Sequence, residues 1–289
     1  LNMRIISENL SSWIIFPGIG HLIRIPFRLW SISWSMYAAK KEKAFEKKII
    51  ETPFGKALCN IGTMSGNQVV FVSRHGVDHS VPPHKVNYRA NIWAMKSLGT
   101  EEIFATTAVG SLNPEMKAGH FVVCDNVLDF TKSRINTFYD SPERGVAHCD
   151  FTYPYCPTLR EKVIKCLEKT DITFHKHGVY VCTEGPRFES AAEIKMFAMM
   201  GGDLVGMTNM PESILAREAE MCYTNCSIVT NMAAGISPTP LSHKEVCDAM
   251  ALSIKNMEKL ILSFIAYEEP TEAKCNCHHA MQEFGGFKL

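Results

Sequence analysis

Between residues 178 and 237 the chain alternates three times between short apolar runs and polar, helix-periodic stretches. Residues 179–182 predict a strand that enters a polar turn at 183–188, broken by Gly185 and Pro186. Residues 190–200 space their apolar positions as a helix does. Residues 204–207 predict a short strand, 212–220 a second helix beyond Pro211, and 226–230 a third apolar strand. Upstream, the same pattern gives strands at 69–73, 103–108 and 121–128 and helices at 87–98 and 159–169. Residues 81–85 contain paired prolines and form a loop. Residues 242–267 predict a long closing helix, opened by Ser242 with Glu245 three residues on, a capping-box pattern. Residues 131–157 are polar and aperiodic. A loop that long in a compact domain is ordinarily functional or subunit-facing. The alternation predicts an α/β fold: a single domain with a central mixed, twisted β-sheet flanked by helices.

Regular alternation begins near Glu51, so residues 1–50 are set apart as an atypical N-terminal segment, 51–267 as the domain and 268–289 as a polar tail. Residues 10–39 are rich in Trp, Ile, Phe and Ser, but Pro17, His21, Arg24, Pro26 and Arg28 interrupt them. A spanning helix needs about 20 consecutive, predominantly apolar residues, so no membrane crossing is expected. Residues 40–50 read as a charged helical segment. In the tail, Cys275, Cys277, His278 and His279 lie too close together for an ordinary structural zinc site. That tail is expected to be disordered, and no metal ligands are assigned. With 289 residues, 46% of them hydrophobic, the chain has ample core for one large domain or two small ones. A formal net charge of zero gives no field for nucleic acid. Eleven cysteines, scattered mostly over apolar segments, indicate reduced thiols and a cytoplasmic protein.

Ligands of open α/β sheets bind at strand ends. Several such ends here carry chemistry. Arg74 and His75 follow a strand directly, and Arg74 offers a planar charged fork suited to phosphate. Thr106, Thr107 and Ala108 end the next strand with hydroxyls and main-chain N–H groups, the makings of an anion nest. Glu184 and Glu189 flank the Gly-Pro-Arg-Phe turn, Thr208 follows Met207, and Asn231 closes the third strand. Taken singly, each has an ordinary reading: a surface arginine, a core histidine, solvated loop carboxylates, a packed Phe188.

Together they carry a resemblance. RHGVDH (74–79), PPHKVNYRANIW (82–93), TTAVGSL (106–112), TEGPRFES (183–190) and GMTNMPE (206–212) closely resemble the methylthioadenosine phosphorylase and purine nucleoside phosphorylase family, over about residues 51–267. The resemblance implies the nucleoside phosphorylase fold. It implies phosphate attack on C1′ of a purine nucleoside, giving free base and ribose 1-phosphate, as in purine salvage. It implies no metal or organic cofactor, inorganic phosphate being a co-substrate. By the same resemblance Arg74, His75, Thr107, Ala108 and Thr208 hold phosphate. Met207 packs on ribose, Phe188, Asn231, Met232 and Ala233 line the nucleoside site, and Asn231 and His75 act in catalysis. His148 reaches a neighbouring subunit's site in a homotrimer or a dimer of trimers.

Three positions resemble the family's 6-oxopurine branch. Adenine-type members carry Asp-x-Asp where this chain has Asn231-Met232-Ala233. An amide donates to a 6-oxo group and accepts from a protonated N7, which an ionised aspartate does not do equally. Those members place Ser where this chain has Glu189, whose carboxylate accepts from N1–H and from the 2-amino group of guanine. At His243 they carry an apolar residue; the 6-oxopurine enzymes use a histidine that bonds the 5′-hydroxyl. The ordinary reading of His243 is a first-turn helix residue. Guanosine and inosine are therefore expected first, methylthioinosine second and methylthioadenosine third. The family's opening GGSG or GGTG loop has no counterpart. Gly18-Ile19-Gly20 lies at about the right distance but lacks the hydroxyl. Losing that loop is expected to cost a phosphate cradle and a core strand, which keeps open a catalytically impaired, nucleoside-binding relative.

Overall fold

A computed structural model describes residues 27–32, 45–76, 80–236 and 243–289, with the backbone only for 27–32 and for the start of the last helix. In chain order the elements are β1 (Phe27–Ile32), β2 (Glu46–Thr52), β3 (Gly55–Met64), β4 (Asn67–Val72), α1 (Tyr88–Ser97), β5 (Thr100–Ser111), β6 (Phe121–Val123) and β7 (Asn126–Phe130). They continue with α2 (Pro157–Leu167), β8 (Phe174–His175), β9 (Val179–Thr183), α3 (Ala191–Met199), β10 (Leu204–Gly206), α4 (Glu212–Glu218), β11 (Cys222–Met232) and α5 (His243–Ile265).

The described strands form one mixed sheet that branches at β5. One path runs β2-β3-β4-β1-β5-β10-β9-β7, and β11 pairs with β5 and β6, which in turn pairs with β8. β5 is long enough to serve two partners along one edge. Parallel β1 accompanies it up to Ile32 opposite Thr106, and antiparallel β10 joins where Val205 faces Gly110. β11 runs parallel along its other edge and is buried over nearly its whole length. A strand flanked on both edges and covered on both faces has to read as near-continuous apolar sequence, unless its polar side chains satisfy one another. Asn225 and Ser227 of β11 do so, bonding each other and Thr107 of β5, whereas the buried Thr224 hydroxyl has no hydrogen-bond partner among the described residues.

Helices cover both faces. Ile92, Trp93 and Met95 of α1 and Leu215 and Ala216 of α4 fill one core. Leu159 and Val163 of α2 and Leu260, Ile261 and Phe264 of α5 fill the other, with Phe264 stacked on Phe104 at 5.0 Å between centroids. The α1 start is fixed by Asn87, which accepts from the Ala90 N–H. Ser190 and Glu193 make a reciprocal capping box at α3. The box expected at Ser242 lies outside the described residues.

Four expectations need revision. The charged segment at 40–50 is not helical from Glu46 on: β2 is an edge strand paired antiparallel to β3, and charged side chains are ordinary on an edge strand. The run at 121–128 splits into β6, against β11, and β7, against β9. The core strand beside β5 is not missing, because β1 lies between β4 and β5; Gly18-Ile19-Gly20 falls outside the described residues. The tail is ordered. Phe287 packs on Trp93 and Phe138 at 5.4 and 5.2 Å between centroids, and Met281 is fully buried. Two or three apolar anchors were hidden by the tail's polar average. Strand pairing therefore starts upstream of Glu51 and chain packing continues beyond residue 267.

Candidate active site

The branching of the sheet opens a place for a ligand. Between the last β1 partner of β5, Thr106, and the first β10 partner, Gly110, residues 107–109 have no strand on that edge among the described residues. Ala108, in the middle of a central strand, is exposed. Thr106, Ala108 and Gly110 share one face of β5, and around it the ends of β4, β9, β10 and β11 converge.

At the β4 end stands Arg74. Its Nε and Nη2 donate to the Glu212 carboxylate at 3.1 and 2.6 Å, and Nη1 donates to Thr106 O at 3.2 Å. The Tyr223 hydroxyl donates to Glu212 Oε2 at 2.8 Å. Both side chains of the ion pair are sealed from water, at 0% and 1% exposure. Burial works against the Arg74 charge, but the Glu212 carboxylate overrides it and holds the guanidinium above its ordinary pKa. Three of its five N–H donors are thus committed and its plane is fixed beside β5. His75 is buried, and since Val81 O only accepts, the 2.8 Å contact puts a proton on Nδ1. The Thr107 hydroxyl lies 2.9 Å from Ser227 Oγ, within the β5–β11 polar network that also holds the Cys124 thiol.

Asn231 reaches the site through a bulge. β5 and β11 run in register to Val109 opposite Val229, and then Asn231, not Thr230, faces Gly110. One extra residue reverses the alternation, moving Asn231 from the face of Val109 to the face of Ala108 and Gly110. A Cβ on Gly110 would lie 3.3 Å from Asn231 Nδ2 and 3.3 Å from Val205 Cγ1, which shows how closely the three pack. Asn231 Oδ1 accepts from Thr230 Oγ1 at 2.7 Å, and Nδ2 donates to Met232 O at 2.9 Å. Those bonds fix which end of the amide is which and leave one N–H and one lone pair for a ligand. Ala233 is buried beside Val205 in a small core with Ile194 and Phe197.

Glu189 is held by Thr183, whose hydroxyl donates to Oε1 at 2.6 Å and also approaches Gly206 O at 3.3 Å. That tie carries the loop carboxylate to the β9–β10 junction. Burial pushes the Glu189 carboxyl above its ordinary value, against the lowering effect of the Thr183 bond. Met207 is half-buried, and its sulfur lies 2.6 Å from where a Cβ of Gly185 would sit, so the glycine, at φ +65°, is what lets the turn approach. Gly206 is equally required: a Cβ there would meet the Tyr180 hydroxyl at 2.1 Å. That hydroxyl lies 3.4 Å from the Thr208 N–H. Phe188, at 40% exposure, is not a core residue. His148 is exposed on the long loop. His243 begins α5, and its side chain lies outside the described residues.

The residues that organise these loops were not singled out from the sequence. Arg134 is nearly buried and donates through Nη1 to Met207 O and Met210 O at 2.8 and 2.5 Å, and through Nη2 to Thr183 O and Glu184 O at 3.0 and 2.8 Å. One side chain thus pins the ends of β9 and β10 together. Glu218 accepts from Thr137 Oγ1 and Phe138 N, both at 2.7 Å, and so fastens the same long loop to α4. Glu212 lies inside a noted motif but reads there as a helix start. Arg134 sits in an aperiodic stretch and gives no local signal.

Residues 37–266 match the family model of the Phosphorylase superfamily. The chain is 50% identical over 241 residues to the 6-oxopurine nucleoside phosphorylase of Pyrococcus furiosus, covering 82% of this chain and 91% of that protein. It is 44% identical over 246 residues to a probable S-methyl-5′-thioinosine phosphorylase of Thermodesulfovibrio yellowstonii, covering 83% and 92%. Among solved structures it resembles a methylthioadenosine phosphorylase from an antarctic soil metagenomic library, with a TM-score of 0.81 and 31% identity over 90% of this chain and 92% of that one.

Proposed function

The chain belongs to the phosphorylase superfamily, and we propose that it is a purine nucleoside phosphorylase acting on guanosine and inosine. The observation that carries this is the pair Asn231 and Glu189 at one end of the site. The oriented Asn231 amide supplies one donor and one acceptor, matching O6 and a protonated N7 of a 6-oxopurine. The Glu189 carboxylate supplies an acceptor for N1–H, a proton that neutral adenine lacks. A buried donor/acceptor mismatch is heavily penalised, which turns this pair into a selectivity filter.

In the reaction a phosphate oxygen bonds to C1′ while the C1′–N9 bond breaks, and the electron pair leaves with the base. Positive charge grows on the ribose and negative charge on the purine. Arg74, His75, Thr107, Ala108 and Thr208 hold the phosphate, Met207 packs under the ribose, and Asn231 stabilises the departing purine at N7. Catalysis then rests on positioning and on fixed dipoles. Phosphate is the co-substrate, and no metal or organic cofactor takes part in this chemistry. The fixed Arg74–Glu212 pair supports this reading, because it orients the guanidinium before phosphate arrives. The exposed His148 on a loop fastened by Arg134 and Glu218 suits a subunit contact, so we place the active form as a cytoplasmic homotrimer or dimer of trimers, to be checked by light scattering.

Phosphorolysis assays over inosine, guanosine, adenosine, methylthioinosine and methylthioadenosine test the reading. Hypoxanthine and guanine release that depends on phosphate is the expected result. Preference for the methylthio nucleosides would favour the second reading, a methylthioinosine or methylthioadenosine phosphorylase. Inosine binding without turnover at saturating phosphate would leave a nucleoside-binding relative.

A further inference from the structure

Outside the site, four thiols converge. Cys156 caps the start of α2, Cys222 opens β11, and Cys275 and Cys277 come from the tail. Their four sulfurs all lie within 4.8 Å of one another, and Cys222 Sγ is 3.6 Å from Cys275 Sγ. A tetrahedral ion with metal–sulfur bonds of about 2.3 Å has sulfur–sulfur edges of roughly 3.8 Å. The thiols are unpaired, and the group sits in the α2–α5 core, with Cys156, Cys222 and Cys277 at 0, 4 and 1% exposure. Arg217 Nη1 donates to Cys277 Sγ at 3.3 Å. His278 presents Nε2 to Cys222 Sγ at 3.5 Å while Nδ1 donates to Glu220 O at 3.1 Å. The Arg217 guanidinium and the His278 ring thus face the sulfurs, as outer partners do around a metal–thiolate centre.

We propose that Cys156, Cys222, Cys275 and Cys277 form a tetrathiolate site for one divalent soft cation of the zinc class, which fastens the C-terminal tail to the body of the enzyme. The Cys-x-Cys pair alone was too tightly spaced to enclose an ion; the fold supplies the other two ligands from positions 156 and 222. On binding, four S–H bonds give way to four metal–sulfur bonds and the displaced protons go to solvent, so no oxidant is involved. The site is structural, because four protein ligands leave no open position. The tail it anchors carries Phe287 onto Trp93 and hydrogen-bonds Glu220 through the Met281 and Phe287 N–H groups.

The test uses the full chain, expressed with zinc and purified under reducing conditions, with metal measured by mass spectrometry. About one zinc per chain is expected, falling to background in Cys275→Ser/Cys277→Ser and retained in Cys149→Ser, a cysteine outside the group. Cobalt exchange into the unaltered protein, which needs no variant to fold, should give the intense visible bands of tetrahedral cobalt with thiolate charge transfer. Zinc removal should expose the tail to protease. Metal-free protein with these four thiols titrating freely, or a non-reducing peptide map pairing them in disulfides, would overturn the proposal.

Discussion

The two ends of the proposed active site are built differently. At the proposed phosphate end Arg74 is locked to Glu212 and Glu212 to Tyr223, and the ion pair is sealed from water. At the base end Glu189 has one hydroxyl partner, and Asn231 keeps a donor and an acceptor in reserve. The first arrangement buries a pair whose loss is costly, so it resists change. The second rests on a few local bonds, Thr183 to Glu189 and Asn231 to its neighbours Thr230 and Met232, and on the proposed reading it is where one substitution alters the substrate without unfolding the protein. On the proposed reading, phosphate chemistry belongs to the frame and base choice to its edge.

The largest expected effect comes from breaking the frame. Arg74→Ala strands the Glu212 carboxylate in the core and should cost about 3–5 kcal/mol of stability, read by urea unfolding, together with loss of phosphorolysis. Stability within 1 kcal/mol of the parent, on the scale of an exposed ion pair, would show that the two ends do not differ in this way. Next, Asn231→Asp should leave folding intact and move transition-state discrimination toward 6-aminopurine nucleosides by ~1–3 kcal/mol. An unchanged inosine rate would remove Asn231 from the base edge.

Glu189 should set an acid limb. Its folded pKa is raised by burial, and a protonated carboxyl accepts from N1–H only weakly, through a neutral carbonyl oxygen. Inosine kcat/KM should therefore fall as pH drops through a value above the ordinary glutamate range, and Glu189→Gln should flatten that limb. The effect on stability has the opposite sense: the folded state holds this proton more tightly, so the site favours folding below the unfolded pKa and loses that contribution as pH rises through the folded one. A limb unmoved by the substitution would assign it elsewhere. The smallest change is expected at the 5′ position. His243→Val should shift preference from 5′-hydroxyl toward 5′-methylthio substrates by roughly 1 kcal/mol, the scale of one hydrogen bond, and equal discrimination before and after would place His243 outside the pocket.

Much of this was legible in the chain. The strands around 69–73, 103–108, 179–182 and 204–207 and the helix over 190–200 follow from periodicity, because each buries one face or lies wholly inside. The residues at their ends could be picked out only together, through the motifs that resemble the family, because each taken singly has an ordinary reading. What escaped was set by long-range pairing. β2 looks helical from its charges until β3 lies beside it. The bulge that turns Asn231 toward Gly110 exists only between β5 and β11. Arg134 has no local pattern at all, since its acceptors are main-chain carbonyls at positions 183, 184, 207 and 210. The tail looked polar and unsupported because the partners of Cys275 and Cys277 stand at Cys156 and Cys222.

Selection of the purine by Glu189 and Asn231 is read most cleanly from the ratio of kcat/KM for inosine to that for adenosine, which share the 5′-hydroxyl, in the parent and in Glu189→Ser/Asn231→Asp at the same phosphate concentration. A ratio above one is expected in the parent, with a fall of roughly a hundredfold or more in the double variant, since two hydrogen-bond matches at the base edge are reversed together. A parent that prefers adenosine, or a ratio that the double substitution leaves unchanged, would overturn the assignment of the base edge to these two residues.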